Sequence, residues 1–302
     1  MSDDLVHIEL IAVLVAVTSD QPRVMTIRSG HALPSGPFEL GHRSLQAGLR
    51  DWVREQTAHP LGYLEQLYTF ADRDRDAQAN GGRTISISYL GLAREETATV
   101  ADASGWRGWY DYFPWEDHRQ GLPQILSGIT ERLQAWARSA DSAAQTEHRL
   151  RRVAFAFGLD GSGWNEDLCL QRYELLYEAG LVAESNRPEM AGSGTGMIAD
   201  HRRILATGIA RLRAKIKYRP VVFELMPEDF TLLQLQRAVE ALAGLRLHKQ
   251  NFRRLIEQQD LVEETGGTES DTGGRPAKLF RFRRAVVEER AMGGTKLPLF
   301  RN

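Results

Sequence analysis

The chain has 302 residues, 42% of them hydrophobic and 26% charged, with a formal net charge of −2. This is a globular composition, long enough for one large domain or two of ordinary size. The single cysteine, Cys169, excludes a disulfide framework and fits a reducing cytoplasm, and the longest apolar run, Leu10 to Val17, is too short to cross a bilayer and has no small-residue cleavage site after it.

In chain order, residues 7–17 and 23–28 predict two strands separated by the turn "TSDQP", and a helix follows over 43–57. Residues 63–72 and 83–93 are strand-like again, the second alternating Ile85, Ile87 and Tyr89 with Thr84, Ser86 and Ser88. The aromatic stretch at 105–115 suits either a well-filled core edge or a strand lining a concave site, and its density favours the core edge. From 119 to 183 the apolar spacing turns helical, with Cys169 among buried neighbours. A loop then leads to a long helix over 200–218 with Asp200 as N-cap, followed by the strand-like "PVVFEL".

The last quarter is the most informative. Residues 230–302 carry thirteen Lys/Arg against nine Asp/Glu, so the basic end is the candidate polyanion binder of a chain that is acidic elsewhere. Thr231 caps a helix with Leu232, Leu235, Val239 and Leu242 on one face, ending at Gly244. A second helix over 248–259 buries Phe252, Leu255 and Ile256, and two strands joined by "TESDTGGRP" come after it. Helix, turn, helix and hairpin is the order of a winged helix-turn-helix, whose second helix can enter the major groove. Lys249, Gln250 and Asn251 are the base-reading candidates, because amides pair bidentately with adenine and cations pair with guanine. Arg253, Arg254, Arg275 and Lys278 are candidate backbone contacts. The plain alternative is a solvated helix face.

The stretch from Gly36 to Thr57 poses a chemical question. Asp51, Arg54 and Glu55 share a helix face, but Mg²⁺ needs converging carboxylates and Arg54 would repel it. The same arginine suits a bound phosphate. Asp72, Asp74 and Asp76 imitate the start of a calcium loop, yet Ala77 and Arg83 stand where that loop requires Gly and Glu. No zinc spacing and no nucleophile motif is present, so no metal and no catalytic residue is expected.

These residues together resemble the Nudix-related transcriptional regulators, a Nudix-like domain fused to a winged helix that controls genes of NAD metabolism. The Nudix pattern G-x5-E-x7-R-E-U-x-E-E-x-G-U begins at Gly36 and keeps Arg50, Asp51 as the acid after it, Trp52 and Glu55. His42 and Arg54 replace glutamates, and Thr57 replaces the last glycine. "YLEQLYTFADRDRD", "FELMPEDFTLLQLQ", "NFRRLI" and "GRPAKLFRFR" resemble the regulators' hallmark stretches, so the likeness spans about 1–115 and 200–285. The implied fold is α+β: a Nudix-like α/β/α sandwich with a helical insertion, followed by a C-terminal winged helix-turn-helix. The corresponding domains are 1–118 for effector binding, 119–198 for the insertion, 199–226 as a linking helix and strand, and 227–302 for DNA. The resemblance also implies a cytoplasmic homodimer on palindromic double-stranded operator DNA, with no required cofactor and no membrane partner. Its effector is an adenine nucleotide such as NAD, ADP-ribose or ATP, and its function is repression. Pocket candidates are Arg50, Arg54 and Arg83 for phosphates and Phe38, Tyr68 and Phe70 for adenine or pocket walls; for the three aromatics a core role, and for Arg83 a solvated strand start, are equally open. The rivals are an active Nudix pyrophosphohydrolase on ADP-ribose or a related nucleotide, and a protein-binding winged helix with no DNA target.

Overall fold

The computed structural model describes residues 6–72, 83–95, 104–161, 163–185, 193–269 and 276–283. Its centre is the apolar run of the N-terminus, the long strand β1 (Val6–Thr18). The turn at Ser19 and Asp20 folds the chain back into β2 (Gln21–Thr26), and the outer half of β1 pairs with the short β3 (Ser35–Pro37). Helix α1 (Leu45–Thr57) follows, then β4 (Tyr63–Phe70), β5 (Arg83–Leu92) and β6 (Gly105–Gly108). The strands form a mixed sheet in the order β4-β5-β1-β2-β6, with β3 on β1; β1 and β5 run parallel and the other pairings are antiparallel.

Alternation along β1 divides two cores. Leu10, Ala12 and Leu14 face α1 and meet Leu49 and Val53. Ile11, Val13 and Val15 face α5 (His201–Ile216), which brings Ile204, Leu205, Ile209 and Leu212 onto the sheet. Burial of each such side chain contributes about 1.5–3 kcal/mol. The helix expected as a linker is therefore the second layer of the sandwich. Asp200 precedes it, but its side chain does not bond the first turn; it lies 3.4 Å from Arg203 instead.

Between sandwich and C-terminus the helices α2 (Ile125–Arg138), α3 (Ala143–Phe157) and α4 (Cys169–Glu178) form the expected helical block. The aromatic stretch before it is core: Trp109, Tyr112, Phe113 and Trp115 are each at most 1% exposed. Cys169 is fully buried, and burial pushes its thiol pKa up. "PVVFEL" is not a strand. Val221–Leu225 is a 3-10 turn that buries Val222, Phe223 and Leu225, because the short segment packs as a plug rather than pairing at a sheet edge.

The C-terminal unit consists of β7 (Asp229–Phe230), α6 (Leu232–Ala243), α7 (Lys249–Gln258), β8 (Val262–Glu269) and β9 (Ala277–Phe282), with strand order β7-β9-β8. Thr231 and Gln234 form a reciprocal capping box on α6, and Gly244 closes the helix at φ +73°. Two helices, a tight link and a hairpin make a winged helix. Among the described residues no helix is long and apolar enough to cross a membrane.

Candidate functional site

The Nudix-like stretch keeps its scaffold. Trp52 lies over Gly36, where a Cβ would come within 2.4 Å of the indole, and its Nε1 donates to the Pro37 carbonyl at 2.9 Å. His42, in place of a glutamate, accepts from the Glu39 amide at 3.0 Å and packs between Phe38 and Trp52. The Arg50 guanidinium donates to the Leu61 and Gly62 carbonyls, tying α1 to the approach of β4. Arg54 projects into solvent 3.6 Å from the Asp51 carboxylate, which is also exposed. A cation standing there does not fit a Mg²⁺ site, and among the described residues no cluster of His, Cys, Asp or Glu could hold a metal ion.

The pocket expected from Phe38, Arg50, Arg54, Tyr68, Phe70 and Arg83 is not assembled as one site. Phe38, Arg50 and Arg54 belong to the α1 side, whereas Phe70 packs in the core on the α5 side. Tyr68 is 59% exposed and meets Phe70 edge-on. Arg83 begins β5, and its side chain lies outside the described residues. The physical reason is the sheet itself: a strand sends its residues to both faces, and Phe70 falls on the α5 side while α1 covers the other.

On the α5 side the structure holds a cavity of about 230 Å³. Glu9 on β1, Thr84 and Ser86 on β5, Phe70 at the end of β4, and the first turn of α5 enclose it. Pairing in register brings Glu9 opposite Ser86, whose hydroxyl donates to the carboxylate at 3.4 Å. His201 is buried at the base. Burial and the nearby Arg28 charge lower its pKa to about 4, so the ring is neutral at pH 7. Its Nδ1 accepts the Leu33 amide at 2.9 Å, which leaves Nε2 as the protonated nitrogen, 4.0 Å from Glu9. Asp72 and Asp200 add two more carboxylates to the wall, both held by Arg203, whose guanidinium lies 5.0 Å from the Phe70 ring centre. Arg28, exposed and in the left-handed region at φ 52°, also borders the cavity and makes no ion pair among the described residues. A wall of carboxylates accepts from hydroxyl and amino groups, an aromatic edge packs a base or sugar, and a free arginine receives a phosphate. Phe70 was legible as a member. Glu9, Arg28, Asp72, Asp200 and His201 were not, since they come from segments far apart in sequence; the left-handed backbone at Arg28 and at Ala199 is a feature of the fold that no local pattern announces.

In the winged helix, Glu240 organises the link between α6 and α7. Its buried carboxylate accepts from the Leu247 amide at 3.0 Å and from Gln236 at 2.9 Å, and Arg246 pairs with it at 2.8 Å. Burial alone would raise its pKa, but these donors hold it below the usual carboxylate range. Helix α7 then buries Phe252 and Ile256 and exposes Lys249, Gln250, Asn251, Arg253 and Arg254 on one surface. Lys249, Arg253 and Arg254 make no ion pair among the described residues. Leu255, expected in the core, is 51% exposed and borders an apolar cavity of about 310 Å³ beside α6. Lys278 is already bound to Glu264 at 2.8 Å, so a phosphate would have to displace that carboxylate. Arg275 lies outside the described residues.

Residues 222–282 match the NrtR DNA-binding winged helix domain. The ADPR responsive transcriptional repressor NtrR of Acinetobacter baylyi is 41% identical over 83 residues, 28% of this chain and 33% of that protein. The chain thus spans about a third of the length of the curated relative it matches. Over nearly the whole length the fold is that of Shewanella oneidensis NrtR, solved with a 27mer DNA: TM-score 0.57, 21% identity, covering 93% of this chain and 95% of that one. A MutT/nudix family protein from Enterococcus faecalis superposes with TM-score 0.55 and 19% identity over 94% of this chain and 88% of its own. Residues 222–282 are thus an NrtR-type winged helix domain, and over the whole chain the likeness to the Shewanella and Enterococcus proteins is one of fold.

Proposed function

We propose that this chain is a DNA-binding repressor of NAD-metabolism genes, cytoplasmic and dimeric, which senses ADP-ribose through a Nudix domain that no longer hydrolyses. The observation that carries the DNA reading is the free row of cations on α7, in the second-helix position of a winged helix-turn-helix. Such cations neutralise phosphates and release counterions, while Gln250 and Asn251 have the amides that read adenine. Two copies related by a twofold axis address a palindrome with half-sites about 34–36 Å apart.

For the effector, the cavity beside α5 suits the ribose or adenine part of a nucleotide, with Arg28 receiving the phosphates. At about 230 Å³ it falls below the roughly 300–1,000 Å³ of sites that enclose a whole drug-sized ligand, so it holds one end of the molecule. The name of the Acinetobacter relative favours ADP-ribose over NAD or ATP. The arginine at position 54 supports sensing without cleavage. Ligand binding changes DNA affinity only by unequal affinity for two conformations of the protein.

The test is fluorescence anisotropy with DNA from the protein's own upstream region, at two salt concentrations, with and without ADP-ribose. Salt-dependent binding that ADP-ribose shifts by about tenfold or more is expected. Arg28→Ala should weaken ADP-ribose binding while Arg54→Ala leaves it within about twofold, because only Arg28 borders the cavity. Absence of DNA binding would reject the repressor. Release of product from ADP-ribose with Mg²⁺ at about 1–1,000 per second would instead support the hydrolase reading, which the exposed Asp51 and Glu55 keep chemically conceivable.

A further inference from the structure

The last carbonyls of a helix have no donor within the helix and must find one elsewhere. In α6 they find it outside the winged helix. The Tyr110 hydroxyl donates to the Ala241 carbonyl at 2.7 Å, Arg213 Nε to Leu242 at 2.9 Å, and the His118 amide to Gly244 at 2.8 Å. Gly244 itself lies against the Glu116 backbone, whose carbonyl oxygen a Cβ would approach to 2.4 Å. α7 begins five residues after Gly244, across the link that Glu240 holds, so the direction of α7 follows from how the end of α6 is clamped.

Arg213 belongs to both systems. It is fully buried, binds the Glu116 carboxylate together with Arg172, and donates to the Glu166 carbonyl at 3.0 Å. Burial alone would raise the Glu116 pKa, yet the two guanidiniums hold it below the usual range, so the carboxylate is ionised between two buried cations. Arg213 sits on α5 about 20 Å along the axis from Asp200, the residue at the cavity. Arg246 Nε also donates to the Arg119 carbonyl at 3.3 Å, and the surface pair of Arg237 with Asp20 is a further contact between the units, but both partners of that pair are about half exposed and screened by water.

We propose that Arg213 and Tyr110 are positioning residues that convert occupancy of the cavity at the start of α5 into a change in the angle of α7; this rests on the effector reading of that cavity. A ligand that draws in the first turn of α5 tilts the helix, and Arg213 carries the tilt to the last turn of α6.

The full-length protein tests this through the ratio of its upstream-DNA dissociation constants with and without saturating ADP-ribose. ADP-ribose affinity without DNA is measured alongside by calorimetry. Tyr110→Phe, which removes one hydroxyl, should cut that ratio by about threefold, and Arg213→Lys by about tenfold, with ADP-ribose affinity within about threefold of wild type. Arg149→Ala, which breaks a contact with Trp136 inside the helical block, should leave the ratio unchanged. A ratio within twofold of wild type in folded Tyr110→Phe overturns the inference even if Arg213→Lys does not fold. An equal loss in Arg149→Ala overturns it too, since general destabilisation would then account for the effect. A wild-type protein with no ADP-ribose response removes the proposed effector instead, and is recognised before any variant is made.

Discussion

Helices α5 and α7 are both rich in cations, and apart from the exposed Arg211 on α5 the fold treats them in opposite ways. On α5, Arg202 and Arg213 are 0% exposed, Arg202 reaches Glu184 at 3.1 Å and the Tyr112 carbonyl at 3.0 Å, and Arg203 reaches Glu174 at 2.5 Å. Lys215 donates to the Tyr63 hydroxyl at 2.7 Å. On α7 the charges of Lys249, Arg253 and Arg254 stand in water without an ion pair among the described residues. Nothing in the residue types separates the two sets. What separates them is where carboxylates and carbonyls from other elements happen to lie, so a cation is structural when the fold brings it acceptors and available for a ligand when it does not.

The comparison is broken most severely by taking an acceptor from the buried set. Glu116→Ala leaves Arg172 and Arg213 buried without their anion and should lower stability by about 3–5 kcal/mol in urea unfolding. A loss under about 1 kcal/mol would mean that the buried arginines are not held as described. A smaller effect comes from pH. Because the His201 pKa is depressed to about 4 in the fold, the neutral ring contributes stability above its unfolded value near 6.5, and that contribution is lost as pH falls toward 4. Between pH 7 and pH 5 the loss is about 2 kcal/mol. Comparing urea midpoints of wild type and His201→Gln at the two pH values isolates it, since the variant should lack this component. The smallest effect on stability belongs to α7: a Lys249→Ala, Arg253→Ala double variant should stay within about 0.5 kcal/mol of wild type. Its DNA affinity should nevertheless fall, with the slope of log K against log salt reduced by about two. Unchanged DNA affinity would place α7 with the solvated helices.

How much was legible follows the same division. The two helices of the winged helix were readable because Thr231, Gly244 and the Phe252 and Ile256 spacing are local signals. The Nudix-like spacing from Gly36 to Thr57 was readable for a similar reason, and the packing of Trp52 on Gly36 explains why the spacing survives where the carboxylates do not. Leu255 and "PVVFEL" misled, since an apolar residue type states a preference for burial and not whether a partner arrives to provide it. At Arg50 the charge suggested a phosphate, and only the fold shows that its guanidinium also holds two carbonyls.

Local patterns in the sequence set most of the elements, the helix-turn-helix and hairpin near the C-terminus and the cationic helix, because periodicity, caps and turn chemistry act over a few residues. Only the tertiary structure decided that Glu9, Arg28, Asp72, Asp200 and His201 surround one cavity, and that the end of α6 is clamped by Tyr110, His118 and Arg213. Those assemblies depend on strand register and on α5 crossing the sheet, and contacts between residues about a hundred positions apart leave no mark in any local pattern.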